Sequence, residues 1–284
     1  MVSKNKNYWM YLVLIFLVVQ VIGLVSANYY FKQDLNLGII NNNPNDVWNA
    51  VALVGEIIFM TALILIFKKL FKSKGYLKLF EYFALFVGMV VVLEIFLPYV
   101  SALFISFLLL WIRDILKRHK SFGKILLWYN NLLLALSIAG AGSLIGLSLG
   151  LLPVTFFLIL LSIYDFVAVF YTKHMVTLAN MFKKQKLSLM FSIPTKKKNY
   201  FLGGGDLVVP LVVSSSLFIV LITKYSFITT MIAVILIWIT SLIGLAWTFW
   251  FLENNRMNIK ALPALPPQAI LILMVIFWVY VFLV

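Results

Sequence analysis

The chain is a series of long apolar runs separated by short polar segments. A helix of about 20 apolar residues crosses the hydrocarbon core of a bilayer. On that length scale, spans are predicted near 8–27, 49–67, 79–97, 99–113, 124–147, 151–172, 207–223, 226–252 and 264–284. The third and fourth form one run broken mainly by Pro98. Proline suits a helix start and disfavours its interior, so a tight reversal is predicted there. The first run, Tyr8 to about Ala27, follows Lys4 and Lys6 as a signal peptide would. It is long enough to span, and the Asn-rich stretch Asn41-Asn42-Asn43-Pro44-Asn45 reads as a loop after it. It is therefore read as a retained span. The expected fold class is an all-α polytopic membrane protein with nine transmembrane helices. It forms a single membrane domain over residues 1–284. Spans one to six fill about 8–172, a cytoplasmic loop about 173–202, and spans seven to nine about 207–284.

Composition excludes a soluble alternative. Of 284 residues, 64% are hydrophobic and 11% charged, more apolar surface than a water-soluble fold of this length can hide. The net charge of +14 does not indicate nucleic acid, because the cations sit in short clusters between the apolar runs. With nine spans, 21 of the 23 Lys and Arg fall on the side of the N-terminus, and only Lys32 and Lys224 on the other. That asymmetry places the N-terminus in the cytoplasm and the C-terminus outside. Merging the third and fourth spans would spoil it. The loop 173–202 carries seven Lys and the apolar stretch Leu187 to Ile193. It is read as a mobile basic loop near anionic headgroups, in preference to a segment lying on the membrane. There is no cysteine, which excludes disulfides, thiol catalysis and thiolate metal sites. The two histidines, His119 and His174, form no HExxH, so a zinc protease lacks its ligands. No metal or other cofactor is expected.

Most of the nine acidic residues lie in loops or at helix ends. Glu56, Glu94, Asp165 and Asp206 fall within or at the edge of spans, where a carboxylate is costly and marks a functional candidate. Glu56 and Glu94 are read as structural, and Asn130 and Asn131 in span five as interhelical hydrogen-bonding groups. Asp165 lies about two turns from the cytoplasmic end of span six. Asp206 opens span seven after Gly203-Gly204-Gly205. The charge rule thus brings both carboxylates to similar depth on consecutive spans. Two facing carboxylates share a proton. The ionised member can deprotonate a water, and the protonated one can polarise a scissile carbonyl and then serve the leaving amine. The pair alone fits equally well a proton- or cation-coupling site in a transporter. Transporters often carry two related halves, and no convincing repeat is evident here.

Glycine at 203–205 allows sharp bending and close approach of backbone, which suits a protease that must hold its substrate as an extended strand. Pro263, Pro266 and Pro267 lie within five residues at the start of span nine and cannot be regular helix interior. Non-helical backbone at that depth survives only if buried in protein or lining a cavity. The segment Gly146-Leu147-Ser148-Leu149-Gly150 matches GxSxG, but a serine nucleophile needs a base. His174 lies one whole span away, roughly 39 Å along a helix, and His119 is on the same wrong side. Gly142, Gly146 and Gly150 recur every four residues, which suggests close helix packing instead.

Tyr164-Asp165, Gly203-Gly204-Gly205-Asp206 and Pro263-Ala264-Leu265 together resemble the YD, GxGD and PAL motifs of the GxGD intramembrane aspartyl proteases, the presenilin and signal peptide peptidase superfamily. The resemblance extends along the whole chain through the nine-span plan. It implies that Asp165 and Asp206 are the catalytic pair and that Tyr164 walls the pocket. Gly203, Gly204 and Gly205 would line the substrate, and Pro263, Ala264 and Leu265 would shape the active site. The orientation and the Leu-Pro-Ala-Leu-Pro context look like presenilin. The compact length and Lys173-His174-Met175 look like archaeal homologues, implying an archaeal plasma membrane. Implied partners are membrane lipid and transmembrane-helix or signal-peptide substrates, with a homo-oligomer left open and nucleic acid excluded.

Overall fold

The computed structural model describes residues 6–33, 43–70, 75–119, 122–185, 187–193, 200–253 and 262–283. Parts of several basic clusters and the first residues of the Asn-rich stretch lie outside them.

Among the described residues, nine helices are long and apolar enough to cross a membrane. They are α1 (Lys6–Lys32), α2 (Val47–Leu70), α3 (Gly75–Leu93), α4 (Tyr99–Arg118), α5 (Gly123–Leu147), α6 (Leu151–Phe166), α8 (Gly205–Ile222), α9 (Phe227–Glu253) and α10 (Leu265–Leu283). In lipid the backbone must satisfy its own polar groups, which is why each apolar run closes into a helix. Large apolar side chains such as Phe59, Phe107, Trp247 and Phe277 point outward, as they do where the solvent is hydrocarbon. Pro98 stands immediately before α4, and α3 packs on α4, so the predicted reversal forms.

Helix α8 is the axis of the bundle. It contributes to two buried clusters, one shared with α2, α6, α9 and α10, the other with α1, α3, α5 and α9. Its approach to α5 depends on missing side chains. A Cβ at Gly146 would stand 2.6 Å from the Ser215 Cβ and 2.9 Å from the Val212 carbonyl oxygen, and one at Gly142 would meet Leu211 at 2.7 Å. The four-residue glycine spacing thus becomes helix contact at 142 and 146. Gly150 instead caps α6 and donates its N–H to the Pro44 carbonyl.

The segment between spans six and seven differs from the expected mobile loop. Helix α6 continues into a π-helical turn over Val167–Tyr171. Lys173 then takes φ 53° and reverses the chain into α7 (His174–Gln185). Strands β1 (Met190–Ile193) and β2 (Tyr200–Gly203) follow as an antiparallel hairpin pairing Met190 with Gly203 and Ile193 with Tyr200. The hairpin folds because its apolar residues reach the bundle: Phe191, Ile193 and Leu202 are buried against α1, α5 and α8. The all-α reading therefore gains one small sheet.

Two further boundaries differ. Helix α3 starts at Gly75 rather than near 79, and α4 runs to Arg118 rather than 113. Glu81 and Arg113 consequently lie inside the bundle, 1% and 0% exposed, joined by a 3.0 Å ion pair. Each charge is offset there chiefly by the other, with Lys117 Nζ 4.0 Å from Glu81 and the Tyr82 ring against Arg113.

Candidate active site

Asp206 sits in the first turn of α8, directly after the hairpin: β2 ends at Gly203, Gly204 is the N-cap, and Gly205 begins the helix. Its position at a helix N-terminus favours a negative charge. A Cβ at Gly203 would lie 3.3 Å from Asp206 Oδ2, and the Gly203 N–H is within hydrogen-bonding reach of the same carboxylate. Pro210, one turn on, lacks the N–H that would otherwise bond the Asp206 carbonyl. Fully buried Gln20 of α1 steadies this turn by donating from Nε2 to the Leu207 carbonyl at 3.1 Å.

Asp165 lies in the last turn of α6, just before the π-helical turn. Its Oδ2 accepts the Leu265 backbone N–H at 3.3 Å. Leu262, Pro263 and Ala264 are non-helical, and α10 begins at Leu265 with Pro266 and Pro267 in its first turn. Those two prolines have no N–H, so the helix end offers Leu265 as the donor facing Asp165. Each aspartate is therefore beside a different helix N-terminus. The two half-buried carboxyls lie within electrostatic reach of each other.

Tyr164, half-buried, packs against the buried cluster that holds Leu161 and Leu265, and its hydroxyl reaches the chain reversal. Its hydroxyl is 3.0 Å from His174 Nε2, and His174 Nδ1 is 2.6 Å from Thr172 Oγ1. The Thr172 hydroxyl donates to the Val167 carbonyl, so His174 Nδ1 carries the proton toward Thr172. Nε2 is left bare to accept from Tyr164. Burial keeps the His174 imidazole below its ordinary range. The structure thus brings Asp165, Gly203, Asp206, Ala264 and Leu265 to one place. Gly205 is exposed and has no atom within 4 Å of where its Cβ would stand, and Gly204 packs on Ile138. The GxSxG serine is elsewhere: Ser148 bonds the Ile145 carbonyl at the opposite end of α6 from His174.

Several polar residues take roles that sequence left open. Glu94 accepts the Tyr30 hydroxyl at 3.0 Å, an interhelical bond, while Glu56 lies on an exposed face of α2. Asn131 does not bond a neighbouring helix but the backbone of β1. Glu81 is tied to Arg113 and to the Ser188 N–H at 2.6 Å. No motif marks that pair. The available signal was one acid and one base at equivalent depth on spans three and four.

Comparison with known proteins shows the family and the fold. The family model described as signal-peptide peptidase, presenilin aspartyl protease matches residues 13–281. The chain is similar to a solved structure of a presenilin family intramembrane aspartate protease in a C222 crystal, with TM-score 0.65, 22% identity, and 94% of this chain and 97% of that chain covered. A second such structure, in a P2 crystal, gives TM-score 0.63 and 23% identity over 98% of each chain. No curated protein sequence matches. The chain belongs to the signal-peptide peptidase and presenilin aspartyl protease family: it is a multi-pass integral membrane protein and an intramembrane-cleaving peptide hydrolase.

Proposed function

We propose that Asp165 and Asp206 are the catalytic dyad, and that the enzyme hydrolyses peptide bonds of transmembrane helices or signal-peptide remnants near the cytoplasmic edge of the bilayer. One observation carries the reading: segments from spans six, seven and nine, far apart in sequence, converge on two carboxyls. The Leu265 N–H meets Asp165, and Gly203 meets Asp206.

The chemistry follows from the environment. Two carboxyls within electrostatic reach share one proton more readily than they hold two charges. The ionised member takes a proton from water. The other donates to the scissile carbonyl oxygen as the water oxygen bonds to its carbon; the proton taken from water then passes to the amide nitrogen, and the C–N bond breaks to leave an amine and a carboxyl. The Leu265 N–H supports negative charge on Asp165, as the first turn of α8 does on Asp206. Gly203, at the end of β2, has no side chain between the strand and the dyad, which suits an extended substrate lying along that edge. Pro263, Ala264 and Leu265 form the facing wall, and Tyr164 braces the turn that carries Asp165. Gly204 and Gly205 let the chain pass from strand to helix without crowding the site.

The charge asymmetry supports a cytoplasmic N-terminus and an external C-terminus, with the dyad toward the cytoplasm. The chain acts as a single membrane unit, with lipid as its surroundings. The features shared with archaeal relatives support an archaeal plasma membrane.

The test is cleavage of a single-span reporter in liposomes by wild type, Asp165→Ala and Asp206→Ala. Cleavage by wild type that both substitutions abolish is expected. Cleavage that survives either one removes the dyad. Ion flux through the same liposomes without cleavage would favour a transporter.

A further inference from the structure

Strand β1 is held along its outer edge by a side chain. Asn131, on α5 and 5% exposed, donates from Nδ2 to the Ser192 carbonyl at 2.9 Å and accepts the Ser192 N–H on Oδ1 at 3.0 Å. An asparagine amide offers one carbonyl and one NH2. It therefore reproduces the donor and acceptor of a neighbouring strand's peptide unit.

The direction of these bonds orients the hairpin. In an antiparallel strand the N–H and C=O of one residue point to the same side, and the side alternates along the chain. Ser192 faces Asn131, so it faces away from β2, and Phe191 and Ile193 are the residues that exchange bonds with Leu202 and Tyr200. By the same alternation, Phe201 and Gly203 turn their backbone groups to the far side of β2. The Gly203 N–H, within reach of Asp206, agrees with that assignment. One edge of the sheet is thus closed by Asn131, and the other opens on the dyad. A second restraint acts at the strand's entrance, where Glu81 takes the Ser188 N–H while itself paired to Arg113.

We infer that Asn131 is a positioning residue for proteolysis: its amide serves as a substitute third strand that holds β1, and through it the β2 edge, in place, and so selects which substrate peptide bond faces Asp165 and Asp206. The inference rests on the reading of those aspartates as the dyad and of the β2 edge as the substrate strand. A substrate strand on a loosened β2 edge slips most readily by two residues, because a one-residue slip would turn its side chains to the opposite face. Two residues correspond to roughly 7 Å along a strand. Loosening the clamp therefore redirects cleavage to peptide bonds two residues away.

The experiment uses the full chain in liposomes with a single-span reporter, cleavage positions being mapped by mass spectrometry. Variants are N131L, N131D, S192A and D206A. For N131L, new products displaced by two residues are expected to reach roughly a third of the total. KM should rise several-fold, with kcat per folded enzyme changed less. N131D, which keeps the acceptor and loses the donor, should lie between N131L and wild type. S192A should match wild type, since the bonds go to backbone. Wild-type positions and KM in N131L would overturn the inference. If neither Asn131 variant folds, hydrogen exchange in the wild type decides: a protected Ser192 amide supports the clamp, and exchange at the rate of an open loop overturns it. Products from D206A would instead overturn the dyad reading, independently of the clamp.

Discussion

Asp165 Oδ2 accepts a hydrogen bond from the backbone N–H of Leu265, a residue one hundred positions away. This bond joins span six to span nine at the end of the bundle that holds both aspartates, and it uses a backbone donor that only a proline replacement removes. Leu265→Pro deletes it at a helix start, where proline is tolerated. A hydrogen bond to a charged group contributes about 1.5–3 kcal/mol. Cleavage by Leu265→Pro should therefore fall by roughly ten- to a hundredfold. Leu265→Ala, which keeps the N–H and loses only packing, is the control. Equal losses in the two variants would show that packing alone matters.

The Glu81–Arg113 pair predicts a stability asymmetry. Removing one partner of a buried ion pair costs about 3–5 kcal/mol, because the other charge is left uncompensated. Arg113→Met and Glu81→Leu should each lower the thermal midpoint in detergent strongly, and the double replacement should recover much of the loss. Additive losses in the double variant would mean that the two side chains are not coupled.

Gly146 predicts sensitivity to a single methyl group. Its Cβ would clash with the backbone and side chain of α8, and overpacking costs about 1–3 kcal/mol. Gly146→Ala should lower both the midpoint and the activity, since α8 carries Asp206. Gly55→Ala, where nothing lies within 4 Å, should raise stability slightly, as glycine inside a helix is unfavourable by about 1 kcal/mol relative to alanine.

His174 predicts a pH effect of definite sign. Burial depresses its imidazole in the folded protein, so the unfolded chain binds the proton first as pH falls. The His174 contribution is complete above about pH 6.5 and is lost as pH drops through the folded-state value. A protonated ring also offers N–H at both nitrogens, and the Tyr164 hydroxyl can no longer donate to it. Wild type should thus lose stability on acidification below about pH 6.5 relative to His174→Phe, measured as thermal midpoint against pH. Parallel curves for the two proteins would exclude the effect.

The apolar runs, the cation asymmetry and three short motifs were readable along the chain. The physical reason is that lipid imposes a length and a composition on each span, whatever its neighbours are. Tyr164-Asp165, Gly203-Gly204-Gly205-Asp206 and Pro263-Ala264-Leu265 were readable for a related reason: carboxylates, a glycine run and clustered prolines stand out against the apolar runs they interrupt. What sequence left undecided concerns partners. Leu187 to Ile193 looks like any apolar loop until Phe191 and Ile193 are placed against α5. Asn131 looks like an interhelical asparagine until Ser192 lies opposite it. Glu81 and Arg113 look like helix-end charges until α3 and α4 are extended and packed together. Such contacts depend on relative position in three dimensions, and no local pattern encodes which buried polar group will meet which. Sequence by itself determined the solvent, the number of spans and the candidate chemistry. Only the tertiary structure decided how the hairpin is held against the bundle, because a hydrogen bond between distant residues exists only once packing has brought them together.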